Sequence, residues 1–65
     1  MIKIRGRNLT GFFVNFSRAS IVASKVVRFT GREIELWDGS KFLVSYVRDH
    51  DGRVTVGRIG VNNAT

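Results

Sequence analysis

The chain has no cysteine, no proline, a single histidine, and no acidic residue before position 33. Each absence excludes something. Without cysteine there is no disulfide framework, so a small core must be held by packing alone or by a face shared in a homodimer. With His50 as the only imidazole and no thiolate beside it, a structural zinc lacks its usual donors. No stretch approaches the ~20 consecutive apolar residues of a membrane-spanning helix. The opening Met1-Ile2-Lys3-Ile4-Arg5 also lacks the apolar run of a secretory signal. The expectation is a soluble, cytoplasmic protein with no metal and no cofactor. Sixty-five residues make one domain, spanning 1–65.

What is present is positive charge. Eleven Lys and Arg stand against five Asp and Glu, a net charge of +6. All five acids, Glu33, Glu35, Asp38, Asp49 and Asp51, fall between positions 33 and 51. Lys3, Arg5, Arg7, Arg18, Lys25, Arg28 and Arg32 therefore make an uncompensated basic half. Such a half attracts polyanions, and neutralising phosphates with release of counterions is the usual source of affinity. Eight of the eleven cations are Arg, whose planar guanidinium suits phosphates and bases. The plainer reading is that the charge only keeps a small domain dispersed.

Alternation carries most of the structural signal. Ile2 and Ile4 alternate with Lys3 and Arg5, which predicts a half-buried strand with a basic outer face. Residues 6–11, rich in Gly and Asn, read as a loop carrying Arg7. A strand resumes at Phe12, with Phe12, Val14 and Phe16 on one face. Phe13 and Asn15 fall on the other, making Phe13 the candidate exposed aromatic. Residues 17–25 point two ways: Ser17 suits a helix cap, while Ile21 and Val22 are β-branched and favour extended chain. A turn or single helical turn is expected there, followed by a strand from Lys25 to Phe29. Glu33 to Trp37 reads as a strand with Ile34 and Leu36 inward and Glu33, Glu35 and Trp37 outward. Asp38-Gly39 between two such runs predicts a type I′ hairpin over residues 33–47. The turn Asp49-His50-Asp51-Gly52 then joins the strand Lys41–Arg48 to a last strand, Val54 to Val61. Gly57 and Gly60 suggest a bulge or strong twist in it, and Asn62 to Thr65 reads as a frayed tail.

Five or six short strands with no long helix predict an all-β fold. It would be a small antiparallel meander or a barrel of the SH3-like or OB-like kind, with at most one short helical turn.

Catalytic constellations are missing. His50 is flanked by Asp49 and Asp51, but neighbours in a tight turn point to solvent rather than toward one another. Glu33 and Glu35 share a strand face, where pairing with nearby cations is the expected role. Residues 6–11 lack the Gly-Lys-Ser/Thr ending of a phosphate-binding P-loop. Gly57-Arg58-Ile59-Gly60 has the spacing of the KH-domain clamp but lies in a strand instead of between helices. The reading is a binding protein and not an enzyme.

Two resemblances add expectations. Met1-Ile2-Lys3-Ile4, Asn8, Phe12 and Asn15, with Ile34-Glu35-Leu36-Trp37-Asp38-Gly39-Ser40-Lys41-Phe42-Leu43-Val44, resemble the small flagellar FlbD-type proteins over about two-thirds of the chain. That likeness implies a protein-interaction role. The chain departs from it after the hairpin, where such proteins look helical and Arg53 to Val61 reads as strand. Phe12-Phe13-Val14-Asn15-Phe16-Ser17 resembles the RNA-contacting strand of cold-shock domains, which implies base stacking by Phe13 and Phe16.

Two functions follow as expectations. In the first, Arg5, Arg7, Arg18, Lys25, Arg28 and Arg32 hold the phosphates of a nucleic acid, single-stranded rather than duplex, while Phe13 or Trp37 stacks on a base. In the second, the chain is a small regulatory module that docks on a larger acidic protein through an apolar face or a sheet edge.

Overall fold

The computed structural model describes residues 1–60, so the expectations for Val61 and for residues 62–65 lie outside the described residues. Along the chain run β1 (Ile2–Gly6), β2 (Leu9–Phe13), α1 (Phe16–Thr30), β3 (Ile34–Asp38), β4 (Lys41–Arg48) and β5 (Val54–Ile59). The strands form one sheet in the order β2-β1-β3-β4-β5, with every neighbouring pair antiparallel. The sheet is open, with β2 and β5 as its two edges. Closure into a barrel is absent among the described residues, so the antiparallel β expectation stands and the SH3-like or OB-like geometry does not follow from it.

The core lies on one side of the sheet. The alternation of β1 and β3 turns Ile2, Ile4, Ile34 and Leu36 to the same side, joined by Val44 of β4. Helix α1 covers them with Ala19, Ala23 and Val27, all fully buried, flanked by half-buried Val22 and Val26. This is a helical stripe at i, i+3, i+4, i+7 and i+8. The two alanines let the helix backbone approach the sheet closely. The Ser20 Oγ and Tyr46 Oη, 2.9 Å apart, latch the helix to β4.

The helix is the main departure from expectation. Residues 25–29, read as a strand, are its last turns, and residues 17–25 are fully helical over a 15-residue element. Its N-cap is Asn15 rather than Ser17: the Asn15 Oδ1 accepts the Arg18 N–H at 2.9 Å. At the other end Gly31, at φ 73°, donates its N–H to the Val27 carbonyl, which only a residue tolerant of the left-handed region does easily. Arg48 adds a guanidinium bond to the Arg28 carbonyl at 3.0 Å, on the negative end of the helix dipole. The β-branched residues Ile21, Val22, Val26 and Val27 argue locally for extended chain, but burying one stripe against a sheet outweighs a propensity penalty of at most about 0.7 kcal/mol per residue.

The turns differ from expectation in detail. The loop expected over residues 6–11 contracts to Arg7-Asn8, because Gly6 pairs with Leu9, and Asn8 takes φ 62°. The hairpin between β3 and β4 is present, with Asp38 paired to Lys41, so the two loop residues are Gly39-Ser40 instead of Asp38-Gly39. Gly39 has φ 63° and Ser40 no positive φ, the pattern of a type II′ turn and not type I′. Gly57 supplies the expected bulge: Arg58 pairs with Ser45 and Val56 with Tyr46, leaving Gly57 without a partner in the register. A Cβ at that position would sit 2.8 Å from Val47. The Asp49 Oδ1 accepts the backbone N–H groups of Asp51 and Arg53, building the last turn and leaving the His50 side chain 91% exposed.

Candidate functional site

Directly opposed residues in antiparallel strands share a face, so the register maps the side of the sheet that α1 leaves uncovered. One row runs Phe12, Lys3, Trp37, Phe42 across β2, β1, β3 and β4. A second runs Thr10, Arg5, Glu35, Ser45, Arg58 from β2 to β5. Three aromatic rings are thus interleaved with cations on an open surface. Strands lie ~4.8 Å apart, which puts Phe12 and Trp37 about 10 Å from each other with Lys3 between them.

The centre of this face is held in place by polar contacts. The Trp37 Nε1 donates to the Glu35 Oε1 at 3.0 Å, and the Trp37 ring meets Phe42 edge-on at 5.4 Å between centroids. Arg58 reaches over the Phe42 ring, 5.1 Å from its centroid. From there its guanidinium donates to the Glu35 Oε2 at 2.6 Å and the Glu33 Oε2 at 3.2 Å. The Arg58 backbone N–H, displaced by the bulge at Gly57, is taken up by the Oγ of buried Ser45 at 3.0 Å. The Trp37 indole N–H, and after it Arg58, hold the Glu35 carboxyl below the usual carboxylate range, against a partial burial that raises it. Glu35 is ionised at neutral pH, and the Arg58 guanidinium is held all the more firmly charged by Glu35 and then Glu33.

The residues singled out from sequence divide between two surfaces. Arg5, Arg7 and Trp37 come together with Glu33, Glu35 and Gly6 around one concavity of about 430 Å³ on the open face. Arg18, Lys25 and Arg28 project from the exposed side of α1, beyond the core, and Arg32 follows the helix end. None of these cations forms an ion pair among the described residues. They do not form a single phosphate track.

Phe13 is not the exposed aromatic. Its pairing with Ile2 turns it toward the core, against which it is half-buried, and Phe12 is the one that stands 63% exposed beside Lys3. Phe16, the other ring implied by the cold-shock likeness, opens the helix and takes no part in the open face. Trp37 is half-buried with its ring on the open side, as the alternation of Ile34 and Leu36 predicted.

Lys3, Phe12, Phe42 and Arg58 are site residues that sequence reasoning did not select. Two were within reach: Lys3 alternates with Ile2 and Ile4, and Phe42 follows from folding the hairpin back from Trp37. Phe12 and Arg58 were not, because one depends on the pairing of β2 with β1 and the other on a bulge. Compared with models of protein families, with curated proteins and with solved structures, the chain matches none.

Proposed function

We propose that the chain is a single-strand nucleic-acid-binding protein that uses the uncovered face of its sheet. The observation that carries this reading is the row Phe12, Lys3, Trp37, Phe42, in which aromatic rings and a cation alternate on a surface that no other element among the described residues covers. Bases present a π-face whatever their identity, and stacking on exposed rings contributes about 1–3 kcal/mol per base. Lys3, Arg5 and Arg7 supply charge for the backbone beside those rings. A duplex, whose bases are already stacked, makes no use of the rings, so single strands are the expected ligand.

A second reading is supported by the β5 edge. Val56 and Ile59 are 47% and 69% exposed beside a row of backbone groups that no strand among the described residues pairs, a surface suited to adding an extended segment of an acidic partner protein. The two readings differ in salt response and in the residue that senses binding.

Fluorescence anisotropy with labelled single-stranded and duplex RNA and DNA, at low and near-physiological salt, with Trp37 emission followed in parallel, tests the proposal. Saturable single-strand binding that quenches Trp37 and survives physiological salt supports it. Binding that is absent, or that disappears at physiological salt without touching Trp37, sinks it and favours the β5 edge.

A further inference from the structure

Two carboxylates sit in the middle of a face whose other charges are positive, and a phosphate laid beside them would be repelled. Glu35 has both oxygens committed, one to the Trp37 indole and one to Arg58. Glu33 is different: its Oε2 takes Arg58, and its Oε1 has no partner among the described residues. Both line the concavity together with Arg5, Arg7 and Trp37. Its lining therefore offers the hydrogen-bond donors of Arg5 and Arg7, the carboxylate acceptor of Glu33 and the aromatic ring of Trp37.

Among the bases, guanine is the one that offers both a paired acceptor edge for Arg and a paired donor edge for a carboxylate. Its O6 and N7 accept from Arg, while its N1–H and 2-amino group donate side by side to a carboxylate. Adenine and cytosine each bring one amino donor, and uracil and thymine bring one N3–H flanked on both sides by carbonyl oxygens that a carboxylate repels. We propose that this concavity is a guanine subsite in which Glu33 accepts from the base edge, Arg5 and Arg7 donate to O6, N7 or the adjoining phosphate, and Trp37 stacks. Glu35 acts through Trp37 as a positioning residue. The inference rests on reading the open face as a strand-binding surface and adds base selectivity to it.

The test uses labelled octauridylate and three relatives with one central uridine replaced by guanosine, inosine or adenosine. Inosine keeps O6, N7 and N1–H and lacks only the 2-amino group. The guanosine oligomer should bind about tenfold or more tighter than octauridylate, with inosine giving back most of that gain. Glu33→Gln should bring the guanosine oligomer to the octauridylate level while octauridylate itself binds as well or better, since a charge that repels phosphate is gone. Far-UV circular dichroism and a thermal melt verify the fold of that exposed-site variant, and the inosine arm alters the ligand alone.

If all four oligomers bind alike, the guanine subsite is overturned and strand binding by the face survives. If none binds, both readings are overturned. Guanosine monophosphate, titrated as competitor against adenosine and uridine monophosphates, separates the ligand sources. Preferential competition at much higher concentration than the oligomer supports the subsite within a strand. Affinity equal to the oligomer's keeps the guanine site but overturns the strand as its source.

Discussion

The two sides of the sheet come from the same strands and the same alternation, yet they carry different chemistry. On one side Ile2, Ile4, Ile34, Leu36 and Val44 are closed over by Ala19, Ala23 and Val27 of α1. On the other, Phe12, Trp37 and Phe42 lie among Lys3, Arg5, Arg58 and two glutamates, with no element among the described residues on top. The aliphatic side is assembled for packing, with small and branched residues where helix and sheet must approach. The aromatic side holds large rings in fixed orientations by an edge-on ring contact and a carboxylate bond instead of by burial. That contrast separates what holds the fold from what is free to bind.

The largest expected effect lies on the covered side. Leu36→Ala empties a fully buried position and should cost roughly 2–5 kcal/mol. A core this small supplies about 3–5 kcal/mol in total, so the variant should be largely unfolded by circular dichroism at 25 °C. The same substitution one residue later should behave otherwise. Trp37→Ala, and more cleanly Phe12→Ala because that ring is already 63% exposed, should keep the fold and lose about 1–3 kcal/mol of single-strand affinity. A Phe12→Ala protein that unfolds, or one that binds as before, would break the comparison.

Charge sharpens it next. Paired replacement of Lys3 and Arg5 by Ala should lower the slope of log affinity against log salt by about 0.7 for each phosphate that the protein no longer neutralises. Replacement of Arg18, Lys25 and Arg28 on the helix should leave that slope unchanged, and an equal effect from both sets would show that the strand wraps the whole molecule. Asn15→Ala removes the helix cap and should lower stability by about 1 kcal/mol, read as a reduced melting temperature with single-strand affinity intact in the folded fraction.

The smallest effect is the acid response of the open face. Because the folded state holds Glu35 ionised to lower pH than the unfolded chain does, its contribution is complete at neutral pH and above the unfolded carboxylate value. It is lost as pH falls through the depressed folded value. The melting temperature should therefore drop on acidification through that window, and Glu35→Gln should flatten this step. An unchanged acid profile in Glu35→Gln would assign the step to another group.

Much of the fold was legible residue by residue. Ile2/Ile4 and Ile34/Leu36 announce β1 and β3 and their buried faces. The Asp38-Gly39-Ser40 signal places a hairpin, although its loop begins one residue later than the dipeptide suggests. The helix was legible too, in the stripe Ala19, Val22, Ala23, Val26, Val27, but the β-branched members of that stripe carried an equally plain local argument for extended chain. At the site, Arg5, Arg7 and Trp37 emerged from charge and alternation, whereas the grouping of the remaining cations did not.

What the sequence determined by itself is whatever depends on neighbours along the chain: strand faces, turn positions, the helix stripe and the sign of the charge. Everything that depends on strand pairing was settled by the three-dimensional assembly alone. The register of β2 against β1 turns Phe13 inward and Phe12 outward, since a one-residue slip exchanges the faces of an entire strand. The bulge at Gly57 brings Arg58 to Glu33 and Glu35, residues 25 and 23 positions away. The crossover of α1 from β2 to β3 sends Arg18, Lys25 and Arg28 to the far side of the molecule. Long-range pairing is set by how the apolar faces of all the elements close together, and no local stretch of sequence contains that information.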